Sequence, residues 1–184
     1  MVEIVQALRE EHRNLAKLLI ILEGQMAIFA AGEKPNYELL DKILDYTLNY
    51  SDLFHHPKEG LIFEKLRTRN PVAIEAVGEL EEDHDRLADL TRLLATAVSN
   101  IISEVQVPRE KVLNVALEYI EFMRRHIELE EKKFFPAALE NLTEADWVEI
   151  HAAHDQPADP LFGPDTEESF EALHEEILAL AAEE

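Results

Sequence analysis

The sequence predicts an all-α protein, an antiparallel up-down four-helix bundle with a C-terminal helical appendage. Apolar residues recur every three or four positions over long segments, and only 5 glycines and 8 prolines interrupt the 184 residues. The two halves of the bundle repeat the same side-chain pattern about 71 residues apart, which constrains them to one layout. Long amphipathic segments joined by short turns are typical of up-down bundles.

The four predicted bundle helices begin and end at residues that commonly mark helix termini. Gly32 follows the first helix, and Pro71 and Pro108 open the third and the fourth. Pro57 lies inside the second helix and predicts a kink there, because proline has no N–H to donate to the carbonyl four residues earlier. The predicted helices cover residues 2–31, 36–69, 71–104 and 108–139.

Residues 141–184 differ in pattern and are predicted to form a helical extension packed on a bundle of residues 1–140. Thr143 and Asp146 have the spacing of a capping box, which predicts a short helix to about His154. A loop at 156–165 and a last helix at about 166–182 follow. The sequence therefore predicts one bundle with a C-terminal cover, and no second independent domain.

Charge and composition exclude several classes of function. With 39 acidic against 17 basic residues the net charge is −22, so binding to nucleic acid or to an anionic membrane surface is not expected. The chain has no cysteine, which excludes disulfides, thiolate zinc sites, iron–sulfur clusters and cysteine nucleophiles. The N-terminus does not have the pattern of a signal peptide, and no apolar run approaches the ~20 residues of a membrane span. We expect a cytoplasmic protein.

The repeat carries the residues with chemical potential. A motif H-x-x-L-A-x-L begins at His12 and again at His84, and a motif H-x-x-x-E-x-x-x-F occurs twice, once on each of the other two helices. Each histidine and glutamate occupies a position in the apolar stripe of its helix. The candidate metal ligands are His12, His55, Glu59, His84, His126 and Glu130.

A metal explains this set better than an ordinary core does. A single histidine on an apolar stripe is usually a hydrogen-bonded core residue. Two buried carboxylates, however, cost several kcal/mol unless they are paired, and no lysine or arginine shares these stripes. A cation would supply the missing charge, and imidazole together with carboxylate indicates a transition metal.

The donor count indicates two ions. Four imidazole nitrogens and four carboxylate oxygens are available if each glutamate bridges. Two octahedral ions have about twelve positions, and an oxo or hydroxo bridge would take about two more, which leaves about two for a small molecule. Such an open arrangement is suited to binding or activating diatomic molecules.

Other candidates are weaker. His56 is expected at the surface or behind the ligands, because neighbouring residues on a helix point about 100° apart; a kink at Pro57 would be the reason for it to turn inward. His151 and His154 are expected to be a solvated pair. Surface placement is also expected for the acids Glu11, Glu33 and Glu81. Whether His56 or a further glutamate completes the site stays open at this point.

On these residues the chain resembles the hemerythrin-like, or HHE cation-binding, family. The resemblance rests on the six candidate ligands and on the flank EEKKFFP after the last of them, and it covers residues 1 to about 140. It implies a four-helix bundle with a non-haem di-iron centre bridged by the two glutamates. Family activities are reversible O2 binding, sensing of O2 or iron, and repair of damaged iron centres.

The sequence departs from the respiratory hemerythrins in ways that favour a bacterial, non-respiratory branch. Those proteins carry a second histidine four residues from the one on the third helix, where this chain has Leu80 and Ala88, and a longer gap between the last histidine and carboxylate. The cysteine-bearing segment of some repair proteins is absent. We expect a di-iron protein that binds O2 or NO for sensing, storage or stress response. The alternatives are a di-iron redox enzyme acting on peroxide or NO, an iron donor in repair, and a bundle with no metal role.

Overall fold

The computed structural model describes residues 3–78, 80–153, 159–163 and 166–183. The regular elements in these ranges are all helices. Nine α-helices follow one another in these ranges: α1 Glu3–Ala30, α2 Tyr37–Tyr46, α3 His56–Arg69, α4 Pro71–Val77, α5 Leu80–Ile102, α6 Arg109–Leu129, α7 Phe135–Asn141, α8 Glu144–Ala153 and α9 Glu171–Glu183. A first π-helix, Thr47–His55, joins α2 to α3, and a second, Glu130–Phe134, joins α6 to α7. A short 3-10 turn, Glu168–Phe170, precedes α9.

Four long helical rods form the bundle. They are α1, the continuous path of α2, the first π-helix and α3, then α5, and finally α6 with the second π-helix and α7. Helix α1 contacts α2 and α6, and α5 contacts the same two, so α1 and α5 lie diagonally opposite each other. This is the predicted four-helix bundle with extra C-terminal helices.

The bundle interior consists of two apolar clusters separated by a polar layer. Along α1, Leu8 belongs to one cluster and Leu15 to the other, with His12 between them. The same order recurs on α5, where His84 separates Leu80 from Leu87. The predicted ligands therefore occupy a single level of the bundle, closed above and below by aliphatic and aromatic side chains.

The predicted third helix of residues 71–104 is divided in the structure. Helix α4 ends at Val77, and α5 begins at Leu80. Between them Gly78 has a φ of +90°, a conformation that residues with a Cβ rarely adopt. Its N–H donates to the carbonyl of Ile74 at 3.1 Å, which closes α4. The prediction of one continuous helix is wrong because the apolar stripe continues across a glycine that terminates the first piece.

The irregularity expected at Pro57 takes the form of a π-helix. The N–H of His56 donates to the carbonyl of Ser51, five residues earlier, and Pro57 has no N–H to restore the tighter pattern. The second π-helix closes in the same way, with the N–H of Phe135 donating to the carbonyl of Glu130, and is followed by Pro136. Both wide turns lie at the level of the predicted ligands.

The C-terminal elements extend the two apolar clusters. Trp147 and Ile150 of α8 join the cluster near the start of α1. Phe170, Leu173 and Ile177, before and within α9, join the cluster at the other end. In the described residues, no helix is both long and apolar enough to cross a membrane.

The predicted capping box starts α8. The N–H of Thr143 donates to the Asp146 carboxylate at 2.9 Å, and the N–H of Asp146 donates to the Thr143 hydroxyl at 3.3 Å. Arg69 at the end of α3 binds the same carboxylate at 2.8 and 2.9 Å. These contacts fix the entry of α8 against the bundle. The predicted loop at 156–165 and His154 fall largely outside the described residues.

Candidate metal centre

The six predicted ligands meet in the polar layer. Each of the four rods contributes a histidine: α1 carries His12, the first π-helix ends at His55, α5 carries His84 and α6 carries His126. Each histidine directs Nε2 toward one or both glutamates. The distances from Nε2 to the nearest carboxylate oxygens are 3.1 Å for His12–Glu130, 3.6 Å for His12–Glu59, 3.3 Å for His55–Glu59, 3.4 Å for His84 to each glutamate and 3.2 Å for His126–Glu130.

The cluster is buried, so the negative charge of its carboxylates must be compensated within the protein. Glu59 and Glu130 are fully buried, with 0% of each side chain exposed. Within the described residues, both carboxylates form ion pairs only with histidines. Both oxygens of Glu59 and Nε2 of His12 lack a hydrogen bond of good geometry. Donor atoms that converge without bonding one another are what a shared cation would satisfy.

Two groups of four donors can be distinguished, and each has its atoms within 4.8 Å of one another. Glu59 belongs to both groups, and Glu130 contacts histidines of both. We call the group of His12, His55, Glu59 and Glu130 the inner position. We call the group of His56, Glu59, His84 and His126 the cavity-side position.

His56 differs from the sequence-based expectation. Only 8% of the residue is exposed, and its ring stacks on that of His84 with a centroid distance of 4.2 Å and an interplanar angle of 13°. Of the two placements expected for His56, the surface position is wrong, because that expectation assumed α-helical geometry of about 100° per residue. The extra residue per turn of the first π-helix reduces the angle between His55 and His56. Both rings therefore face the interior, and the His-His-Pro sequence was the available signal.

Acidic side chains stand behind four of the histidines, on the Nδ1 side of each ring. For the inner position, Nδ1 of His55 lies 2.6 Å from Glu11, and Nδ1 of His12 lies 3.0 Å from Glu131. For the cavity-side position the corresponding distances are longer, at 3.5 Å for His56–Asp52 and 3.9 Å for His126–Asp83. Such carboxylates orient a ligating imidazole and raise its basicity.

The two closer carboxylates are themselves held by cations. Lys58 Nζ lies 2.5 Å from Glu11, and only 1% of the Lys58 side chain is exposed. Arg9 donates from Nε to Glu131 at 2.9 Å. The expectation that Glu11 is a surface acid is wrong, because its side chain is 11% exposed and lies between Lys58 and His55. Glu11 precedes His12 on α1 and points toward the neighbouring rod. The sequence alone does not show which side chains it contacts there.

Mutual interactions shift the pKa values of these groups strongly. Burial alone lowers the pKa of His12 and of His84, but Glu130 and Glu59 raise each of them to about 10. Burial also opposes protonation of His55, whose pKa is raised to about 9, chiefly by Glu59 and Glu11. Without a metal, protonated imidazoles therefore supply the charge that balances the glutamates.

The remaining groups of the layer shift the other way. The pKa of Glu130 is lowered to about 2: burial and Glu59 raise it, but the surrounding histidines outweigh them. The pKa of Glu59 is also well below its ordinary value, for the same reason. Burial and the charges of His84 and His55 lower the pKa of His56. His56 is thus a neutral imidazole, ready to act as a ligand without losing a proton.

A cavity of about 520 Å³ reaches the layer beside two of its histidines. It meets the rings of His56 and His84, and 13% of the His84 side chain is exposed. Ala88, one turn after His84, lines this cavity. The small side chain leaves space next to the cavity-side position.

A family model for the hemerythrin HHE cation-binding domain matches residues 3–138 of the chain. The match spans the four bundle rods and includes every residue of the polar layer. The chain belongs to the hemerythrin family. No curated protein and no solved structure gives a significant match.

The residues of this hemerythrin domain fit the cation binding for which the family is described. Buried imidazoles and carboxylates converge in two groups that share Glu59, and orphaned donor atoms point into them. The donor set consists of nitrogen and carboxylate oxygen, with no sulfur, which suits a di-iron type of centre. His151, by contrast, lies on the exposed side of α8, away from this layer.

Proposed function

We propose that this hemerythrin domain holds two iron ions and binds a diatomic ligand, O2 or NO, in a non-respiratory role such as sensing, storage or stress response. The observation that supports the proposal is the pair of donor groups sharing Glu59 in a largely buried layer. The proposed ligands are His12, His55, Glu59, His84, His126 and Glu130, with His56 as an additional donor.

Iron suits this donor set for a physical reason. Imidazole and carboxylate are ligands of intermediate and hard character, and together they favour iron over the sulfur-seeking metals. Iron would supply electrons to the bound diatomic molecule. The protein's part would be to orient the imidazoles, to supply the carboxylates of Glu59 and Glu130 as shared ligands, and to keep bulk water out of the layer.

Adding His56 changes the number of free positions. Five imidazole nitrogens and four carboxylate oxygens occupy about nine of about twelve octahedral positions, and an oxo or hydroxo bridge takes about two more. About one position then remains for an external ligand. If both glutamates bridged, the cavity-side position with its three imidazoles would be filled, and the free position would belong to the inner ion.

The surroundings of the inner position suit an uncharged molecule. The ring of Phe135 stacks on His12 with a centroid distance of 5.4 Å, and the two apolar clusters cover the layer on both sides. O2 and NO partition into such apolar surroundings, whereas ions and larger substrates do not. This favours a diatomic ligand over a polar organic substrate.

Anaerobic loading with Fe²⁺ followed by exposure to O2 or NO tests the proposal. We expect about two iron ions per chain, and a new optical band on adding the ligand that disappears in Glu59→Ala and Glu130→Ala. A reproducible content near one ion, or a spectrum unchanged by both ligands, would contradict it. Sustained turnover of peroxide or NO would instead support a redox enzyme.

A second candidate function is iron donation to damaged iron centres. The cavity that reaches His84 supports it, because a hydrated ion needs a polar route. Transfer of iron to an apo iron–sulfur protein in stoichiometric amounts, compared with transfer from free iron and a chelator, distinguishes it from ligand binding alone.

A further inference from the structure

The two metal positions differ in their access to solvent. The cavity of about 520 Å³ is lined by His56 and His84 of the cavity-side position and by polar groups including Asp52 and Arg92. His12 and His55 of the inner position do not line it, and each has only 3% of its side chain exposed. A hydrated ion or a chelator reaches the cavity-side position first.

The two positions also differ in how firmly their histidines are held. At the inner position, Lys58 anchors Glu11, which lies 2.6 Å from His55. Arg9 anchors Glu131, which lies 3.0 Å from His12. These are chains of cation, carboxylate and imidazole, and each link is at ion-pair or hydrogen-bond distance.

The cavity-side position has looser support in the described residues. Asp52 and Asp83 face His56 and His126 at 3.5 and 3.9 Å, which is too far for a strong hydrogen bond. Both oxygens of Asp52 are buried without a hydrogen-bond partner. The imidazoles on this side are therefore less restrained in orientation, although there are more of them.

We infer that the two ions are held unequally: the cavity-side position exchanges its metal through the cavity, and the inner position retains its metal because Glu11 and Glu131 position His55 and His12. The inference rests on the proposed dinuclear centre and adds a division of labour to it. The exchanged species is a hydrated divalent transition metal ion. The retained ion is the one assigned the free position for a diatomic ligand.

The magnitude follows from the effect of outer carboxylates elsewhere. Loss of such a group typically weakens metal binding by about 10–100-fold. Removing Glu11 should therefore accelerate release from the inner position by at least about tenfold. Release from the cavity-side position should change little, because Glu11 touches none of its histidines.

The experiment uses the full chain loaded with two Co²⁺ ions, which avoids redox chemistry, and mixed with excess EDTA. Co²⁺ release is followed by its optical bands. We expect two phases of equal amplitude, the faster by at least about tenfold. A single phase that releases both ions would overturn the inference and leave the dinuclear proposal standing. A maximum loading of one ion would instead contradict the dinuclear proposal itself.

Positioning is separated from structural support by paired variants. Glu11→Gln leaves Lys58 buried without a counter-charge and is expected to lower stability. The double variant Glu11→Gln/Lys58→Met removes both charges and should recover the melting temperature while the slow phase stays accelerated. Asp83→Asn is the matched control and should leave the slow phase unchanged. If the double variant restores slow release, Glu11 acts only on stability and the inference is wrong.

The route is tested separately by filling the cavity. Ala88→Phe should slow the fast phase and leave the slow phase unchanged, because Ala88 lines the cavity. Ala16→Phe, at an exposed position of α1, is the control and should change neither phase. An unchanged fast phase in Ala88→Phe would refute exchange through the cavity.

Discussion

At the scale of residues, burial of the polar layer requires that every charged group in it has a partner of opposite charge. Glu59 and Glu130 are buried completely, and the raised pKa values of His12, His55 and His84 show where the balancing protons reside without a metal. A metal ion and these protons compete for the same imidazoles.

This competition predicts that metal binding releases protons. His12, His55 and His84 have pKa values of about 10, 9 and 10, so all three carry a proton near neutral pH. Binding of two ions at about pH 7.5 should release about three protons per chain. Calorimetry in buffers of different ionisation enthalpy measures this number. Release of none would show that the imidazoles are neutral before the metal binds.

His56 allows a second test at the same scale. Because its ring lies among those of the cavity-side position, His56→Ala should weaken the binding of the cavity-side ion and leave the inner ion bound. His55→Ala should weaken the inner ion instead. His151→Ala, on the exposed side of α8, serves as the control. Titration with Co²⁺ reads the two affinities, and full retention of both ions in His56→Ala would return this residue to a structural role.

At the scale of elements, local irregularities decide which side chains enter the layer. Each π-helix has a proposed ligand at one of its ends: the first ends at His55, and the second begins at Glu130. Wide turns of this type occur often at functional sites because they change the direction of a side chain without ending the helix. Gly78 has a different effect, because it ends α4 and separates it from α5.

The break at Gly78 predicts opposite effects of one substitution at two glycines. A Cβ at Gly78 would meet no atom within 4 Å, but its φ of +90° is strained for any residue with a side chain. Gly78→Ala should therefore destabilise the protein by about 1–3 kcal/mol. Gly24→Ala, inside α1 and also without a clash, should stabilise it by about 0.5–1 kcal/mol. Denaturant unfolding measures both, and equal effects would contradict the explanation.

At the scale of the whole molecule, the layer joins all four rods of the bundle. The apolar clusters on either side supply the burial, and α8 and α9 extend them. A metal that binds residues from every rod binds the folded state alone and stabilises it by mass action.

The stabilisation by metal should grow with pH. In the metal-free protein, the histidine pKa values raised above 6.5 contribute stability that is fully present below about pH 6.5 and lost as the pH rises through 9 to 10. The metal-bound protein needs neutral imidazoles, and the unfolded chain also has neutral imidazoles above about pH 6.5, so this loss does not affect the metal-bound form. The difference in melting temperature between Zn²⁺-loaded and metal-free protein should therefore increase from pH 6.5 to 9. A difference that shrinks over this range would contradict the charge balance.

Sequence periodicity and the internal repeat were enough to predict the bundle and to place the six residues at one level of it. Helical periodicity and the repeated spacing of His12 with His84 and of Glu59 with Glu130 are local properties, and they place side chains on a face whatever lies opposite. The structure brings these residues together as the spacing predicts.

The surroundings of those residues depend on packing between rods and could not be predicted from the pattern. The direction of His56 depends on a wide turn set by hydrogen bonds around Pro57, and the role of Glu11 depends on His55 and Lys58 from the neighbouring rod. The continuity of the third helix depended on the backbone conformation of one glycine. Helical pattern gives the face on which a residue lies, but packing between rods decides which atom it meets, because neighbouring faces come from segments distant in the chain.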